Sequence, residues 1–311
     1  MAVDTFSSMY RSLRLWVPDL PIFLAKQLIR DRYRRVAERR VWSALRAEAE
    51  FILNDAKIAG TVTATRNSAT ITGSGTAFAS SDVGRQFQVG NRAPTYTVSA
   101  VANTTSLTLD RVYGDTIVGA GLTYRILDAY VTCPADFKHF LVVYDPKQNW
   151  RLRHFVTQDD IAQLDPARSS AGTPWALIDR RYSTLTATKG RATYEMWPYS
   201  ASARNYPFYY EKSVADLTDD TDTPEIPIRG DLLVRGALAD VCRWPGSAER
   251  PNLMYDSKGG ASRTWEAEFE MGVAELERQD ENTYLTWWGT SNWSAWPYAP
   301  MDAAFLQKHG Y

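Results

Sequence analysis

Apolar and polar residues alternate most clearly within residues 59–127. Apolar side chains recur there at every second position in six short runs, which clusters of Gly, Asn and Ser separate. The runs cover 61–65, 69–72, 85–89, 95–98, 106–109 and 122–126. A period of two places one set of side chains on a buried face, so each run predicts a β-strand. The stretch therefore predicts a compact all-β module of about six strands, a small sandwich or barrel.

Residues 19–49, which precede this module, show helical spacing instead of alternation. Apolar side chains between residues 19 and 49 recur three or four positions apart, which is typical of an amphipathic helix. Asp19 is suited to the N-cap, and Pro21 fits the first turn because the first N–H groups need no intrahelical partner. We therefore predict a helix over 19–49. Its apolar positions are Phe23, Leu24, Leu28, Ile29, Tyr33, Val36, Ala37, Val41 and Leu45.

Two further helices are predicted in the C-terminal part of the chain. The first covers 231–244 and is stopped by Pro245 and Gly246. The second covers 261–284, where one apolar stripe predicts a face turned toward a core or an interface. The stripe consists of Trp265, Phe269, Gly272, Val273 and Leu276.

Residues 128–228 favour strands separated by turns. The predicted strands are 140–144, 151–155, 175–178, 192–197 and the aromatic run 206–210. The acidic segment 216–227 is predicted to be a structured loop that leads into the next helix. A calcium site is disfavoured because the segment lacks the glycine and the bidentate Glu spacing of an EF-hand.

These patterns together predict an α+β protein with a helical-bundle core that carries mixed strands. The core is discontinuous, formed by 1–58 and 128–285. The all-β sandwich or barrel module, 59–127, is inserted into it. An extended, aromatic-rich C-terminal tail, 286–311, completes the predicted organisation.

The predicted tail has aromatic side chains at irregular spacing among Gly, Ser, Asn and Pro. A solvated tail would not carry four tryptophans, because burial of each is worth a few kcal/mol. The tail is therefore expected to dock, and the sequence leaves open whether it docks on its own core or in a groove of another subunit. Its expected anchors are Trp287, Trp288, Trp293, Trp296, Tyr298, Phe305 and Tyr311.

The nearly balanced total charge, 35 Lys+Arg against 36 Asp+Glu, argues against a globally basic nucleic-acid binder. It conceals two charged segments of opposite sign. Residues 26–46 hold eight basic and two acidic residues, a local net charge of +6, whereas residues 211–281 have a net charge of −9. The basic face is either a solvated surface or a contact with acidic protein or DNA phosphates. The candidate contact residues are Arg30, Arg34, Arg35, Arg39 and Arg40.

Residues that usually carry catalysis or bind metals are few and scattered. Cys133 and Cys242 lie among apolar residues without metal-ligand spacing, which predicts inert buried thiols. The sequence contains no phosphate-binding loop, nucleophile elbow or zinc-protease motif. No enzyme activity, metal or cofactor is predicted. No membrane-length apolar run and no signal-peptide pattern at the start are found, so a soluble protein is expected.

Several segments in the same order resemble the head-to-tail connector, or adaptor, proteins of tailed bacteriophages, the family that includes tail tubular protein A. Residues 17–21 (Val-Pro-Asp-Leu-Pro), 28–31 (Leu-Ile-Arg-Asp) and 40–42 (Arg-Val-Trp) are similar to its opening helix. Residues 209–212 (Tyr-Tyr-Glu-Lys), 216–227 and 231–239 resemble its later loop and helix. Residues 73–78 (Gly-Ser-Gly-Thr-Ala-Phe) and 82–85 (Asp-Val-Gly-Arg) resemble a β-rich module of phage tail and connector proteins.

The resemblance implies a structural protein of the virion neck, assembled in the host cytoplasm. Such adaptors form a ring, usually of twelve copies, between the portal protein and the next tail or nozzle component. Viral DNA passes through the channel without sequence-specific binding, and no membrane is involved. The resemblance makes the predicted core an adaptor core, whose tail docks on the portal or on a neighbouring copy.

Two alternatives come from other functional classes. A carbohydrate-binding tail accessory would use the β module as a lectin, with exposed tryptophans stacking on sugars. A glycoside hydrolase would use Asp219, Asp220 and Asp222. The hydrolase is the weaker alternative, because a catalytic pair must flank a cleft and adjacent carboxylates of one loop rarely do so.

Overall fold

A computed structural model describes residues 4–183 and 188–288 of the chain. Among them are five α-helices: α1 (Phe6–Trp16), α2 (Ile22–Glu38), α3 (Gln158–Leu164), α4 (Gly230–Val241) and α5 (Gly260–Trp288). The first eight strands are β1 (Arg46–Leu53), β2 (Thr61–Ala64), β3 (Thr70–Ser74), β4 (Gln86–Val89), β5 (Tyr96–Asn103), β6 (Ser106–Leu109), β7 (Gly119–Leu122) and β8 (Tyr124–Leu127). The remaining strands are β9 (Tyr130–Thr132), β10 (Phe137–Asp145), β11 (Trp150–Arg151), β12 (Arg153–Val156), β13 (Ala176–Tyr182), β14 (Ala192–Trp197) and β15 (Arg204–Lys212).

The chain divides into two compact units. The helical unit contains the described residues before Ala47 and those from Lys212 onward, and the β unit is Ala47–Glu211. The strands of 128–211 thus belong with the predicted β module. The boundaries drawn from the sequence (1–58 with 128–285, 59–127 and 286–311) stay predictions.

The helical unit begins with α1, which the sequence analysis did not predict. Thr5 caps this helix by accepting a hydrogen bond from the Ser8 N–H at 3.3 Å. Its buried side chains include Phe6, Met9 and Leu13, whose helical spacing gives α1 an apolar face. This face packs into one core with α2, α4 and α5.

Helix α2 is shorter than the helix predicted over 19–49. It begins after Pro21, so Asp19 is not its N-cap, and it ends at Glu38. Trp42 beyond the helix is fully buried, and its indole N–H donates to the Val36 carbonyl at 2.9 Å. The Val36 carbonyl also accepts the Arg39 N–H at 3.2 Å, so the indole adds a second hydrogen bond to the last turn of α2. Tertiary packing of Trp42 thus accompanies the end of α2, although the apolar periodicity continues.

Helices α4 and α5 approach closely because glycines face bulky side chains. A Cβ atom on Gly236 would lie 2.8 Å from the Phe269 ring, and one on Gly272 would lie 2.4 Å from Leu232. Both distances are below any ordinary carbon–carbon contact. The absence of a side chain at these two positions therefore sets the separation of the helices.

Two four-stranded sheets in the β unit enclose one apolar core. Their strand orders are β1-β15-β10-β11 and β12-β13-β14-β9. Phe51, Phe140 and Phe208 meet in this core, and the rings of Phe51 and Phe208 stack with centroids 4.3 Å apart. The pairs β10–β11, β13–β14 and β14–β9 are antiparallel, whereas the pair β12–β13 is parallel.

The remaining seven strands form a half-barrel around a second apolar core. Their order is β7-β2-β3-β6-β5-β4-β8, with antiparallel neighbours. All six predicted runs contain strands, but the run 122–126 divides at Thr123 between β7 and β8. The prediction of a six-stranded sandwich or barrel is therefore corrected to one seven-stranded, partly closed sheet.

Buried charges connect the half-barrel to the segments that enter and leave it. Asp82 is fully buried and pairs with Lys57 at 2.7 Å and Arg85 at 3.2 Å. Arg85 also pairs with Asp128 at 2.8 Å and donates to the Asp55 carbonyl at 2.8 Å. These bonds join the motif 82–85 to the segment that enters the half-barrel, at Asp55 and Lys57, and to the segment that leaves it, at Asp128.

The predicted helical-bundle core is wrong as a description of this α+β chain. The described residues form fifteen strands against five helices, and the long region 128–212 builds sheets with their own core instead of adding to the helices. The mixed α+β class itself is confirmed. Within the described residues, every helix is too short or too polar to cross a bilayer.

Candidate assembly surface

The basic face of α2 lies partly against the acidic loop 213–229 of the same chain. Arg34 forms a bidentate ion pair with Asp216. Arg30 donates from Nε to the Leu217 carbonyl at 3.1 Å. The hydrogen bonds from Arg34 hold the pKa of the Asp216 carboxyl below its usual value. Both arginines thus fasten the loop to α2.

The other three candidate arginines lie against α5. The ion pairs are Arg35–Glu266 (3.9 Å), Arg39–Glu270 (2.6 Å), Arg39–Glu277 (3.1 Å), Arg40–Asp280 (3.7 Å) and Arg40–Glu281 (3.3 Å). Arg40 also donates to the Glu277 carbonyl at 2.8 Å, so it binds the backbone as well as the carboxylates of α5.

The two oppositely charged segments found in the sequence therefore neutralise each other within one chain. Exposed ion pairs of this kind each contribute about 1 kcal/mol or less, and salt weakens them. That the five candidate arginines contact a partner stays a prediction. Replacing these arginines with Glu would break intrachain pairs, so a loss of assembly in such variants would not separate partner binding from folding.

Arg32 is the charged residue of α2 that the sequence analysis missed. Its side chain is 1% exposed, and it forms bidentate ion pairs with both Asp240 of α4 and Glu266 of α5. The four N–O distances are 2.7 or 2.8 Å. The guanidinium also lies 5.1 Å from the centroid of the Phe269 ring. One side chain therefore joins three helices of the helical unit.

The electrostatics of this site favour the charged forms of Arg32 and Glu266. Burial alone would lower the pKa of Arg32, but the hydrogen bonds to Asp240 and Glu266 outweigh it and raise the pKa. The same bonds hold the pKa of Glu266 below its usual value. The sequence indicates the burial of Arg32, because this residue lies on the apolar stripe of α2, three residues after Ile29 and four before Val36.

The acidic loop uses its carboxylates for local structure. Asp222 accepts hydrogen bonds from the backbone N–H groups of Thr218 and Asp219 at 2.7 and 2.8 Å, which lower its pKa. Asp220 pairs with Lys26 at 2.6 Å and accepts from the Tyr10 hydroxyl at 3.0 Å. In the described parts of the chain, no group of three or more His, Cys, Asp and Glu side chains is placed to hold a metal ion.

An open groove of about 490 Å³ lies among α1, α4 and α5. Its floor is apolar and includes the buried side chains of Met9, Val234 and Leu238. Trp16 and Trp265 also line it, with their rings edge to face and centroids 5.7 Å apart. Trp16 is 56% exposed, so the groove presents an aromatic surface to solvent.

Polar groups border this groove. Ser8 and Ser12 of α1 line it, and the opposite side carries Asp231, Arg235 and Glu268. Arg235 pairs with Glu268 at 3.4 Å and lies 3.9 Å from Asp231, so its charge is balanced by two carboxylates. The border therefore offers hydroxyl and carboxylate acceptors around an apolar floor, which suits an aromatic side chain with an N–H or O–H donor.

The predicted aromatic anchors fall at and beyond the end of the described chain. Trp287 and Trp288 belong to the last turn of α5, so this helix extends past Tyr284, where it was predicted to stop. Trp293, Trp296, Tyr298, Phe305 and Tyr311 lie outside the described residues. The docking of these residues stays a prediction.

Both cysteines are free and buried. Burial raises the pKa of the Cys133 and Cys242 thiols above the usual range. Since the thiolate is the reactive form of cysteine, this shift disfavours a nucleophilic role for either residue.

Comparison of the chain with protein-family models and with curated protein sequences gives no match.

Proposed function

We propose that the chain is a structural head-to-tail connector of a tailed bacteriophage virion, which forms a ring between the portal protein and the next tail component. The proposal takes the kind of assembly from the ordered motifs of the sequence. Its support from the structure is an apolar surface on the helical unit, which favours a subunit of an assembly over a monomer.

That surface lies at the adjoining ends of α1 and α2. Leu15 is 82% exposed, Trp16 56% and Phe23 72%, and Ile22 is also exposed. Monomeric proteins rarely keep large apolar side chains together in water, and such patches typically mark interaction sites. This cluster is the single observation that carries the proposal.

The helical unit also has the internal rigidity that a ring subunit needs. Arg32 joins three helices through four short hydrogen bonds, and Arg34 and Arg39 fasten the acidic loop and α5 to α2. Because these charges are paired within the chain, we infer that apolar and aromatic contacts dominate the affinity between subunits. DNA would pass through the ring without sequence-specific contacts.

A co-sedimentation experiment tests the proposal. Full-length chain is mixed with purified portal particles of the same phage and centrifuged through a sucrose cushion. We expect the chain to sediment with the portal, and Phe23→Glu to reduce this binding. Met271→Glu is the matched control, since Met271 is an exposed apolar residue of α5 outside the cluster.

A glycan-binding screen of the same preparation separates the carbohydrate-binding alternative. Sugar binding without portal binding would contradict the connector proposal and favour the lectin. The half-barrel gives the lectin little support, because residues 59–127 contain no tryptophan. Several of its aromatic rings, including Phe87, Tyr96 and Tyr124, are buried in its own core.

A further inference from the structure

An open pocket of about 310 Å³ lies on the β unit, lined by residues of β10, β13 and β14 and by residues next to these strands. Three aromatic side chains line it, those of Phe137, Tyr182 and Tyr194, together with charged side chains of both signs. We propose that this pocket binds one unit of an acidic saccharide. All of its residues belong to the β unit, so the inference does not rest on the proposed function.

A register shift in the β13–β14 pair turns two side chains toward this pocket. Asp179 pairs with Tyr194 and Tyr182 pairs with Ala192, so three steps along β13 match two steps along β14. In a regular strand Asp179 and Tyr182 would point to opposite faces of the sheet. The extra residue of a bulge breaks this alternation, and both side chains line the pocket. The backbone of β13 thus presents a carboxylate and a phenol ring to one site.

Tyr182 supplies the surface on which a sugar ring would stack. This residue is 70% exposed, although it belongs to a strand. The neighbouring Tyr194 ring packs edge to face on Phe137, with centroids 6.0 Å apart. Burial raises the pKa of Tyr194 to about 12, so its hydroxyl keeps its proton at neutral pH. A sugar ring has an apolar C–H face and hydroxyl groups along its edge, which match aromatic rings beside polar groups.

The rest of the lining disfavours an apolar side chain as the ligand. Besides the aromatic rings, its apolar residues are the small Pro134, Ala135 and Ala192. The groove of the helical unit differs, because its floor consists of larger, buried apolar side chains. Gly190 leaves room at the pocket wall, since no described atom lies within 4 Å of the place that a Cβ would take. A polar ligand with a flat apolar face therefore fits better than a hydrophobic anchor.

The charges that line the pocket favour an acidic sugar. Lys138 is held by the fully buried Glu211, with Nζ and Oε1 2.7 Å apart. Arg191 is exposed, and its guanidinium has no ion-pair partner among the described residues. A guanidinium binds a carboxylate through two parallel hydrogen bonds, which suits the acid group of such a sugar. Asp179 adds an acceptor for hydroxyl groups, and its charge disfavours the closely spaced phosphates of a nucleic acid.

A glycan array probed with the fluorescently labelled full-length chain tests this inference. The array holds uronic-acid, sialic-acid, sulfated and phosphorylated oligosaccharides beside their neutral counterparts. We expect binding to acidic members and none to the neutral ones. This binding should weaken as salt is raised, because Arg191 is exposed to solvent. Isothermal titration calorimetry with the acidic oligosaccharide that gives the strongest array signal then measures the Kd.

Variants with matched controls locate the site. Tyr182→Ala should raise the Kd at least about tenfold because it removes the stacking ring, whereas Tyr182→Phe keeps the ring and should bind like wild type. Arg191→Glu should also raise the Kd at least about tenfold. Tyr209→Ala and Arg66→Glu change exposed residues of the β unit outside the pocket and should leave the Kd unchanged. Circular dichroism confirms that each variant is folded.

Four results would overturn the inference: no saccharide bound, equal binding of acidic and neutral members, a Kd insensitive to both Tyr182→Ala and Arg191→Glu, or binding of a single-stranded oligonucleotide in place of any saccharide. Sedimentation with the portal is measured separately. Any of these four results therefore leaves the proposed function standing.

Discussion

Removal of the buried guanidinium of Arg32 should be among the most destabilising single changes in the helical unit. The variant Arg32→Met keeps an unbranched side chain but deletes four hydrogen bonds to Asp240 and Glu266. It leaves two carboxylates facing each other without the cation that they share. Breaking a buried ion pair by removal of one partner costs about 3–5 kcal/mol.

The exposure of the three side chains determines where in this range the loss of unfolding free energy falls. Arg32 is only 1% exposed, whereas the side chains of Asp240 and Glu266 are 23% and 29% exposed and keep part of their hydration. The two abandoned carboxylates therefore cost less than fully buried ones, and we expect a loss of about 3 kcal/mol. Arg32→Lys should fall between wild type and Arg32→Met, because an ammonium cannot form two bidentate pairs.

Urea unfolding followed by the helical circular-dichroism signal measures this effect, since α1, α2, α4 and α5 all belong to the helical unit. Arg35→Met is the matched control. Its side chain is largely exposed and lies 3.9 Å from Glu266, so its loss should be below about 1 kcal/mol. Equal losses for the two variants would refute the assignment of Arg32 as the residue that joins the helices.

Three further changes test other contacts. Gly60→Ala should destabilise the half-barrel by about 1–3 kcal/mol, measured by urea unfolding, because Gly60 has a φ of +87° and its Cβ would lie 2.5 Å from the Ser74 carbonyl oxygen. Gly236→Ala should cost about 1–3 kcal/mol in the same assay, because its Cβ would press on Phe269. Arg32 holds the pKa of Glu266 below its ordinary value near 4.5 in the folded state. The stability from this shift is present above that pH and is lost as pH falls through the folded pKa. Stability measured across acidic pH should thus fall less steeply in Glu266→Gln than in wild type.

The strands were more predictable from the sequence than the helix boundaries. Alternation along β2, β3 and β6 reflects burial of one face, which is a local property of the chain. The end of α2 at Glu38 depends on the burial of Trp42 against Val36, and no local pattern of residues 39–49 distinguishes this turn from a continued helix. Helix α1 was predictable, since Thr5 and the spacing of Phe6, Met9 and Leu13 suffice to indicate it.

The sequence predicts the charged residues of this site but not which of them form pairs. Local net charges of opposite sign follow directly from the sequence, yet the pairs join residues about 180 to 240 positions apart. Only the folded chain shows that Arg34 and Arg40 meet their own acidic segments. Arg32 differs from the other arginines because its place on the apolar stripe of α2 puts its charge into the core.

The central claim is that this chain is a ring-forming connector, and single-particle imaging of the full-length chain bound to portal particles tests it most directly. The account predicts a ring coaxial with the portal around an open channel. Portal particles without added density, or copies bound singly at scattered positions, would contradict it.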